Sequence, residues 1–411
     1  MTFQYNFYSV FLFVFWMHTA VYAALFFRRN HIQQQASAFW MGCFLILVNF
    51  YTAPWMLGFA GWYDNQPYRT ILFYVPFQNL FWIGPVIYFY LVSLLNPKFR
   101  LKKKEYLHFL PGLLYLVFSV WVAVYDLVIA DQPYFLANGE DPDFHPWYQG
   151  LGLLSMIFYG GAALRYYYFY RKALESVLSN AADFLIIWMR WFLIIFLSLL
   201  IYRITFMVLE IWVSFDYQGT WWYFFGFIIG GYILAIAGYS HVGTSKIYFQ
   251  SKFWSPQIQW YLAPPKVLLG TTTTTSFVDF SEDSSEVGEE EMGVDWTEWV
   301  QKIEAAITEN QLHLDPDLTL FALAQVFQIH PVQLSKSINQ GFGKNFNDLI
   351  NYYRIDHFKQ LILENRHQRE TLLALALECG FNSKATFNRA FKKQEGVSPQ
   401  TYIKAQKNRY N

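Results

Sequence analysis

Five side chains between positions 384 and 393, Lys384, Asn388, Arg389, Lys392 and Lys393, have the types and spacing to grip a nucleic acid. On a helix running from about Ser383 to Lys393 they share one side, while Phe387 and Phe391, four apart, take the other. Arg and Lys match guanine O6 and N7, Asn matches adenine, and ammonium groups further along meet phosphates. A short helix with one apolar and one basic, amide-bearing face is what a major groove admits. Taken alone, the pattern also describes an amphipathic helix with a solvated basic face. The residues before it add a positioning element. Thr371 is placed to cap a helix, and Leu372, Leu375, Ala376 and Cys379 recur at helical spacing. Gly380 supplies a residue that accepts positive φ at a turn, and Phe381 returns to the core. The stretch Thr371–Tyr402 thus reads as a helix-turn-helix.

The pattern occurs twice. TLFALA at Thr319–Ala324 matches TLLALA at Thr371–Ala376, and Leu334, Lys336 and Ile338 correspond to Phe387, Arg389 and Phe391, with one extra residue in the second copy. Gly343 corresponds to Gly396. Between the copies, Phe346–Leu363 carries apolar residues at 346, 349, 350, 353, 358, 361 and 362, which predicts one helix bridging two small bundles. Gln328 stands where the second copy has Gly380, so the first turn is expected to differ.

With these residues in place, positions 312–406 resemble the AraC/XylS family of bacterial transcription regulators. The resemblance rests on Ala376, Gly380 and Phe381, on Phe387, Arg389, Phe391 and Lys392, and on Gly396, Ser398, Pro399 and Tyr402. In the first copy it rests on Leu334-Ser335-Lys336 and Ile350-Asn351-Tyr352-Tyr353-Arg354. It implies two second helices lying in successive major grooves about 34 Å apart. Carried over by position, the base-facing residues are Val332, Gln333, Ser335 and Lys336 in the first copy and Lys384, Ala385, Asn388 and Arg389 in the second. Lys344, Lys392 and Lys393 fall where phosphate contacts are expected. The implied partners are double-stranded promoter DNA and RNA polymerase. For Arg389 the alternative is a structural pairing with a carboxylate of its own domain.

The rest of the chain must hold and steer this element. Of 411 residues only 15% are charged and 21% are aromatic, and the apolar excess lies before residue 255. Seven apolar spans can be read, at 6–27, 37–59, 70–95, 106–129, 147–170, 191–213 and 220–241, each near the roughly 20 residues needed to cross a bilayer. Basic residues follow the first, third, fifth and seventh (Arg28 and Arg29; Lys98 to Lys104; Arg171 and Lys172; Lys246 and Lys252), whereas acidic residues dominate the alternate loops. By the positive-inside rule the N-terminus lies outside and the C-terminus in the cytoplasm, placing the chain in the inner membrane. The first span lacks the basic start of a signal peptide. Net charge is zero overall, yet from Leu312 onward there are 13 Lys and Arg against 8 Asp and Glu, a balance that suits a polyanion.

The expected architecture is therefore all-α in three parts: a seven-helix transmembrane sensor domain (1–245), an acidic and mostly disordered cytoplasmic linker (246–294), and a double helix-turn-helix domain (295–411). The last part opens with an amphipathic helix at 295–310, which packs on the domain in cis or against a second copy as a homodimer contact. Arg203, Glu210, Asn79 and Asp126 are the polar residues at membrane depth that could line a signal or ligand site; an Arg–carboxylate clamp between helices is the structural alternative. Pro54, Pro76, Pro85 and Pro111 are expected to distort helices. No enzyme, metal or cofactor signature is found, and Cys43 and Cys379 form no disulfide framework. The function read here is a one-component transcription regulator that couples a membrane signal to sequence-specific DNA binding. Two alternatives stay open: a transporter or membrane enzyme carrying a regulatory DNA-binding domain, and a regulator released by proteolysis.

Overall fold

The computed structural model describes residues 4–96, 99–136, 141–181, 187–213, 216–240, 247–250, 259–262 and 296–410. Of the expected linker 246–294, only 247–250 and 259–262 are among them. Two compact units result: Met1–Tyr167 with Ile186–Phe277, and Tyr168–Leu185 with Val278–Asn411. A short piece from the middle of the chain thus folds with the C-terminal part.

The first unit contains helices α1 (Phe7–Gln33), α2 (Ala36–Phe59), α3 (Tyr68–Tyr74), α4 (Leu80–Leu95), α5 (Leu110–Val124), α7 (Ile187–Trp212) and α8 (Trp221–Ser240), with α6 (Pro146–Val177) running on into the second unit. Asn6 starts α1 with a reciprocal cap, its side chain accepting from Ser9 N at 2.9 Å. Among the described residues, five stretches are long and apolar enough to cross a bilayer: Phe7–Gln33, Ala36–Phe59, Lys103–Ile129, Trp188–Leu209 and Trp221–Ser240. Where seven spans are expected, length and composition identify five among the described residues. The expected span 70–95 is interrupted between α3 and α4, because Pro76 disfavours helical backbone at Val75 and brings no N–H of its own. Leu80–Leu95 remains as a shorter apolar helix. The expected span 147–170 forms the start of α6, whose Arg165 and tyrosine-rich stretch 166–170 dilute its apolar run.

Helices α8, α7 and α2 approach closely at glycine. A Cβ on Gly230 would lie 2.7 Å from Leu199, and one on Gly231 would lie 2.8 Å from Val48. After α8 the chain departs from helix. Strands β1 (Ile247–Gln250) and β2 (Gln259–Leu262) pair antiparallel with Ile247 opposite Leu262. Aromatic and β-branched residues explain this hairpin at the start of a segment expected to be linker.

The second unit is built from α9 (Trp296–Glu309), α10 (Leu320–Phe327), α11 (Pro331–Phe342), α12 (Phe346–Leu363), α13 (Leu372–Glu378), α14 (Lys384–Glu395) and α15 (Pro399–Tyr410). It has two cores that share α12. Phe346, Leu349, Ile350 and Tyr353 enter the first, with Leu323, Leu334 and Ile338. Ile355, Phe358, Leu361 and Ile362 enter the second, with Leu375, Phe387 and Phe391. Apolar positions that cover more than one side of α12 allow one helix to serve both. Helix α9 packs in cis, Ile303 and Ile307 being fully buried in the first core. Cys379 is buried in the second, and burial pushes its thiol up to about 12.

The two copies close alike. Thr319 and Thr371 cap α10 and α13 by accepting from Ala322 N (3.1 Å) and Ala374 N (3.2 Å). Each first helix ends with a reversed pair of bonds, Ile329 N to Ala324 O and Gln328 N to Gln325 O in one, Phe381 N to Ala376 O and Gly380 N to Leu377 O in the other. Gln328 takes φ 53° and Gly380 φ 89°. The first turn is therefore left-handed like the second, contrary to what the glutamine led us to expect. Gly380 is required for a further reason: a Cβ there would lie 2.6 Å from His313 O and 2.8 Å from Leu314 O. Accordingly, Gly380→Ala should destabilise the unit by more than about 2 kcal/mol. Gln328→Gly should change stability by less than about 1 kcal/mol, relief of the left-handed strain offsetting unfolded-chain entropy. Thermal melting of the full chain in detergent distinguishes the two; equal effects would contradict the steric account.

Candidate functional site

The second helix of each copy presents its candidate residues outward. In α14, Ser383 caps the N-terminus by accepting from Thr386 N at 3.2 Å, and Phe387 and Phe391 anchor the helix in the core. Lys384, Ala385, Asn388, Arg389, Lys392 and Lys393 are then all exposed. In α11, Pro331 occupies the first turn, His330 caps it, and Leu334 and Ile338 are buried. Val332, Gln333 and Lys336 are exposed and Ser335 is half-buried. Arg389 forms no ion pair among the described residues, which leaves its guanidinium to solvent or a ligand.

The basic groups are not equivalent. Lys393 Nζ pairs with Asp348 at 2.6 and 2.8 Å, linking α14 to α12 across the two cores. Its charge is partly committed within the unit. Lys344 lies over the Tyr352 ring at 4.9 Å. Lys392 is exposed with no ion pair among the described residues, and it follows Arg389 by three residues on the same helix.

A fold of two helix-turn-helix units joined by one long helix defines the class of the C-terminal unit. Residues 323–405 match the family model described as "Helix-turn-helix domain", of the AraC type. The C-terminal part of the chain is such a domain. An uncharacterized HTH-type transcriptional regulator of Staphylococcus aureus (strain COL) is 34% identical over 92 residues, which are 22% of this chain and 12% of that protein. The uncharacterized HTH-type transcriptional regulator YobQ of Bacillus subtilis (strain 168) is 30% identical over 98 residues, 24% of this chain and 39% of that one. The aligned part thus spans well under half the length of these relatives. A solved structure of a protein of unknown function from Listeria innocua aligns with 26% of this chain and 95% of its own, at 29% identity and a TM-score of 0.23.

In the first unit Asp126 and Arg203, two of the expected membrane-depth residues, have different hydrogen-bond partners among the described residues. Asp126 is fully buried in a π turn (Tyr125–Ile129), where its carboxylate accepts from Tyr74 OH (2.8 Å) and Leu136 N (2.9 Å). Arg203 donates to Gln149 Oε1, and its guanidinium lies 5.0 Å from the Tyr223 ring centre. The Glu210 side chain lies outside the described residues. Gln149 donates in turn to Gln78 Oε1 at 2.7 Å and to Asp143 O at 2.6 Å. The backbone freed by the α3–α4 break is satisfied here: Gln78 N donates to Asp143 Oδ2 (2.9 Å), Leu80 N to Tyr148 OH (3.0 Å), and Tyr148 OH to Gln78 O. Tyr115 donates to the other Asp143 oxygen and stacks on Tyr148 at 3.8 Å. Gln78 Nε2 and Asn79 Oδ1 are buried with no hydrogen-bond partner among the described residues. Gln149, Asp143, Tyr115 and Tyr148 carry no spacing signal; Pro76 and the polar Asn79 inside an apolar run are what mark the place in sequence.

Burial, followed by the neighbouring Asp143 carboxylate, raises Asp141 well above the ordinary carboxylate range, and burial raises Asp143 as well. A carboxyl whose folded pKa is raised contributes stability below its unfolded value, 3.8, and loses it as pH rises through the folded value. Asp141→Asn keeps the oxygen that accepts from Asp143 N at 2.9 Å. It should therefore melt higher than wild type at pH 8, with the gain shrinking toward pH 5. A difference independent of pH would contradict this.

Proposed function

We propose that the chain is a membrane-embedded, one-component transcription regulator whose C-terminal unit binds double-stranded promoter DNA. The observation that carries this is the duplicated helix-turn-helix with a solvent-facing polar and basic set on both second helices. Val332, Gln333, Ser335 and Lys336, with Lys384, Ala385, Asn388 and Arg389, read base edges. Lys344, Lys392 and Lys393 hold phosphates, Lys393 least, because it shares its charge with Asp348.

Membrane embedding is supported by the five long apolar helices and by outward apolar side chains such as Leu113, Leu114, Val117 and Val120 on α5. Counting Leu80–Leu95 and the first part of α6 as crossings gives seven spans, with the N-terminus outside and the DNA-binding unit in the cytoplasm. The signal is received at the α3–α4 break, where Arg203, Gln149 and Gln78 are linked in a hydrogen-bonded chain and the neighbouring Asn79 is buried. Asp126 braces a separate loop. RNA polymerase and a second copy of the chain are further partners in this reading.

Binding of selected and random duplexes by the full chain in nanodiscs tests the proposal. Arg389→Ala should lose about 1–3 kcal/mol on the selected duplex and much less on random DNA. Lys392→Ala should weaken binding to every sequence and lower the salt slope by about 1, with Lys393→Ala doing so less. Equal losses for Arg389→Ala on both duplexes would refute its base-reading role, and no preference by the wild-type chain would refute the proposal itself.

A further inference from the structure

The C-terminal unit contains a piece of chain that does not belong to it in sequence. At the end of α6 the turn Leu178–Ala181 is buried throughout, each residue being 5% exposed or less. Leu178 pairs with Thr319 as an antiparallel bridge, and Ser179 N donates to Leu318 O at 3.3 Å. Thr319 is the residue that caps the first helix of the first helix-turn-helix. Asn347, in the first turn of α12, donates to Leu178 O at 3.0 Å and to Ser179 O at 2.8 Å. Arg354, fully buried midway along α12, donates from Nη2 to Ser179 Oγ at 3.1 Å and from Nη1 to Ser179 O at 3.5 Å.

The place addressed is the junction of the two cores. The same guanidinium donates to His313 O and Asp315 O, both at 2.7 Å, ahead of the first copy. It also lies against Phe381, and Gly380 leaves room for it in the turn of the second copy. Main-chain bonds to a helix cap, an amide clamp and a charge-assisted bond to the central arginine make a specific seat rather than a loose surface contact.

We propose that Leu178–Ala181 is the coupling element of the protein: a plug, continuous with helix α6, whose seating on Thr319, Asn347 and Arg354 sets the relative pose of the two helix-turn-helix units. This rests on the regulator reading above and specifies its internal route. A shift of α6 withdraws or reseats the plug, and Arg354 then rebalances its bonds between the two copies. A DNA site that needs both second helices at one spacing feels that change, whereas phosphate attraction to random DNA does not.

The test uses the full chain in lipid nanodiscs, with a duplex selected on the wild-type protein and a random duplex as probes. Asn347→Ala removes both clamp bonds at a half-buried position. Ser179→Leu sets a branched side chain against Arg354, and Asn347→Ala carries the test alone if Ser179→Leu does not fold. The expected result is a change of at least about fivefold in affinity for the selected duplex, with random-duplex affinity unchanged. Unchanged affinity for both duplexes, or equal loss on both, overturns the plug while leaving DNA binding intact. A wild-type chain that selects no sequence removes the regulator reading and the plug together.

Discussion

Arg354 is the interaction on which the C-terminal unit depends. A guanidinium with no exposed surface must have its donors met inside the protein, since losing a partner of a buried charge costs about 3–5 kcal/mol. Its partners among the described residues include main-chain carbonyls of His313 and Asp315, the carbonyl and hydroxyl of Ser179, and the face of Phe381. They come from three places in the chain. The arginine stands where α12 leaves the first core, after Tyr353, and enters the second, at Ile355. It ties together the two small cores at their shared helix, as the Lys393–Asp348 pair also does. The glycine at 380 follows from the same constraint, because any side chain there would strike the His313 carbonyl that the arginine holds and the Leu314 carbonyl beside it.

Local features of this unit were legible in sequence because they depend on near neighbours. Threonine caps, helical spacing, the bridging helix and the inward Phe387 and Phe391 all follow from residues within a few positions of one another. Gln328 shows the limit of that reasoning. Its turn has the same hand as that of Gly380, because the reversed closing bonds fix the backbone, and the side chain accepts the strain. What separates the two turns is the crowding around Gly380 by residues about 65 positions away. The Ser179 plug was invisible for a stronger reason. Its contacts with Leu318 and Asn347 are made largely through main-chain atoms, which leave little trace in residue type.

The first unit shows the same division. Long apolar helices could be counted from composition, although Pro76 and the polar load of α6 leave five that qualify on length and apolarity. Proline as a source of distortion was readable, but the groups that repair the break were not. Gln78 N, Gln78 O and Leu80 N find partners on Asp143 and Tyr148, about 65–70 residues on. Arg203 is a half-buried cation in an apolar helix. It donates to the amide of Gln149, while the Asp126 carboxylate accepts from Tyr74 and the Leu136 backbone.

Two helix-turn-helix units held across one buried arginine should read DNA as two elements at one fixed separation. The most direct measurement is genome-wide mapping of the sites crosslinked to the tagged chain. The account predicts a bipartite motif whose halves lie about one helical turn, roughly 10.5 base pairs, apart. Enriched sites with a single element, or with halves at variable spacing, would contradict it.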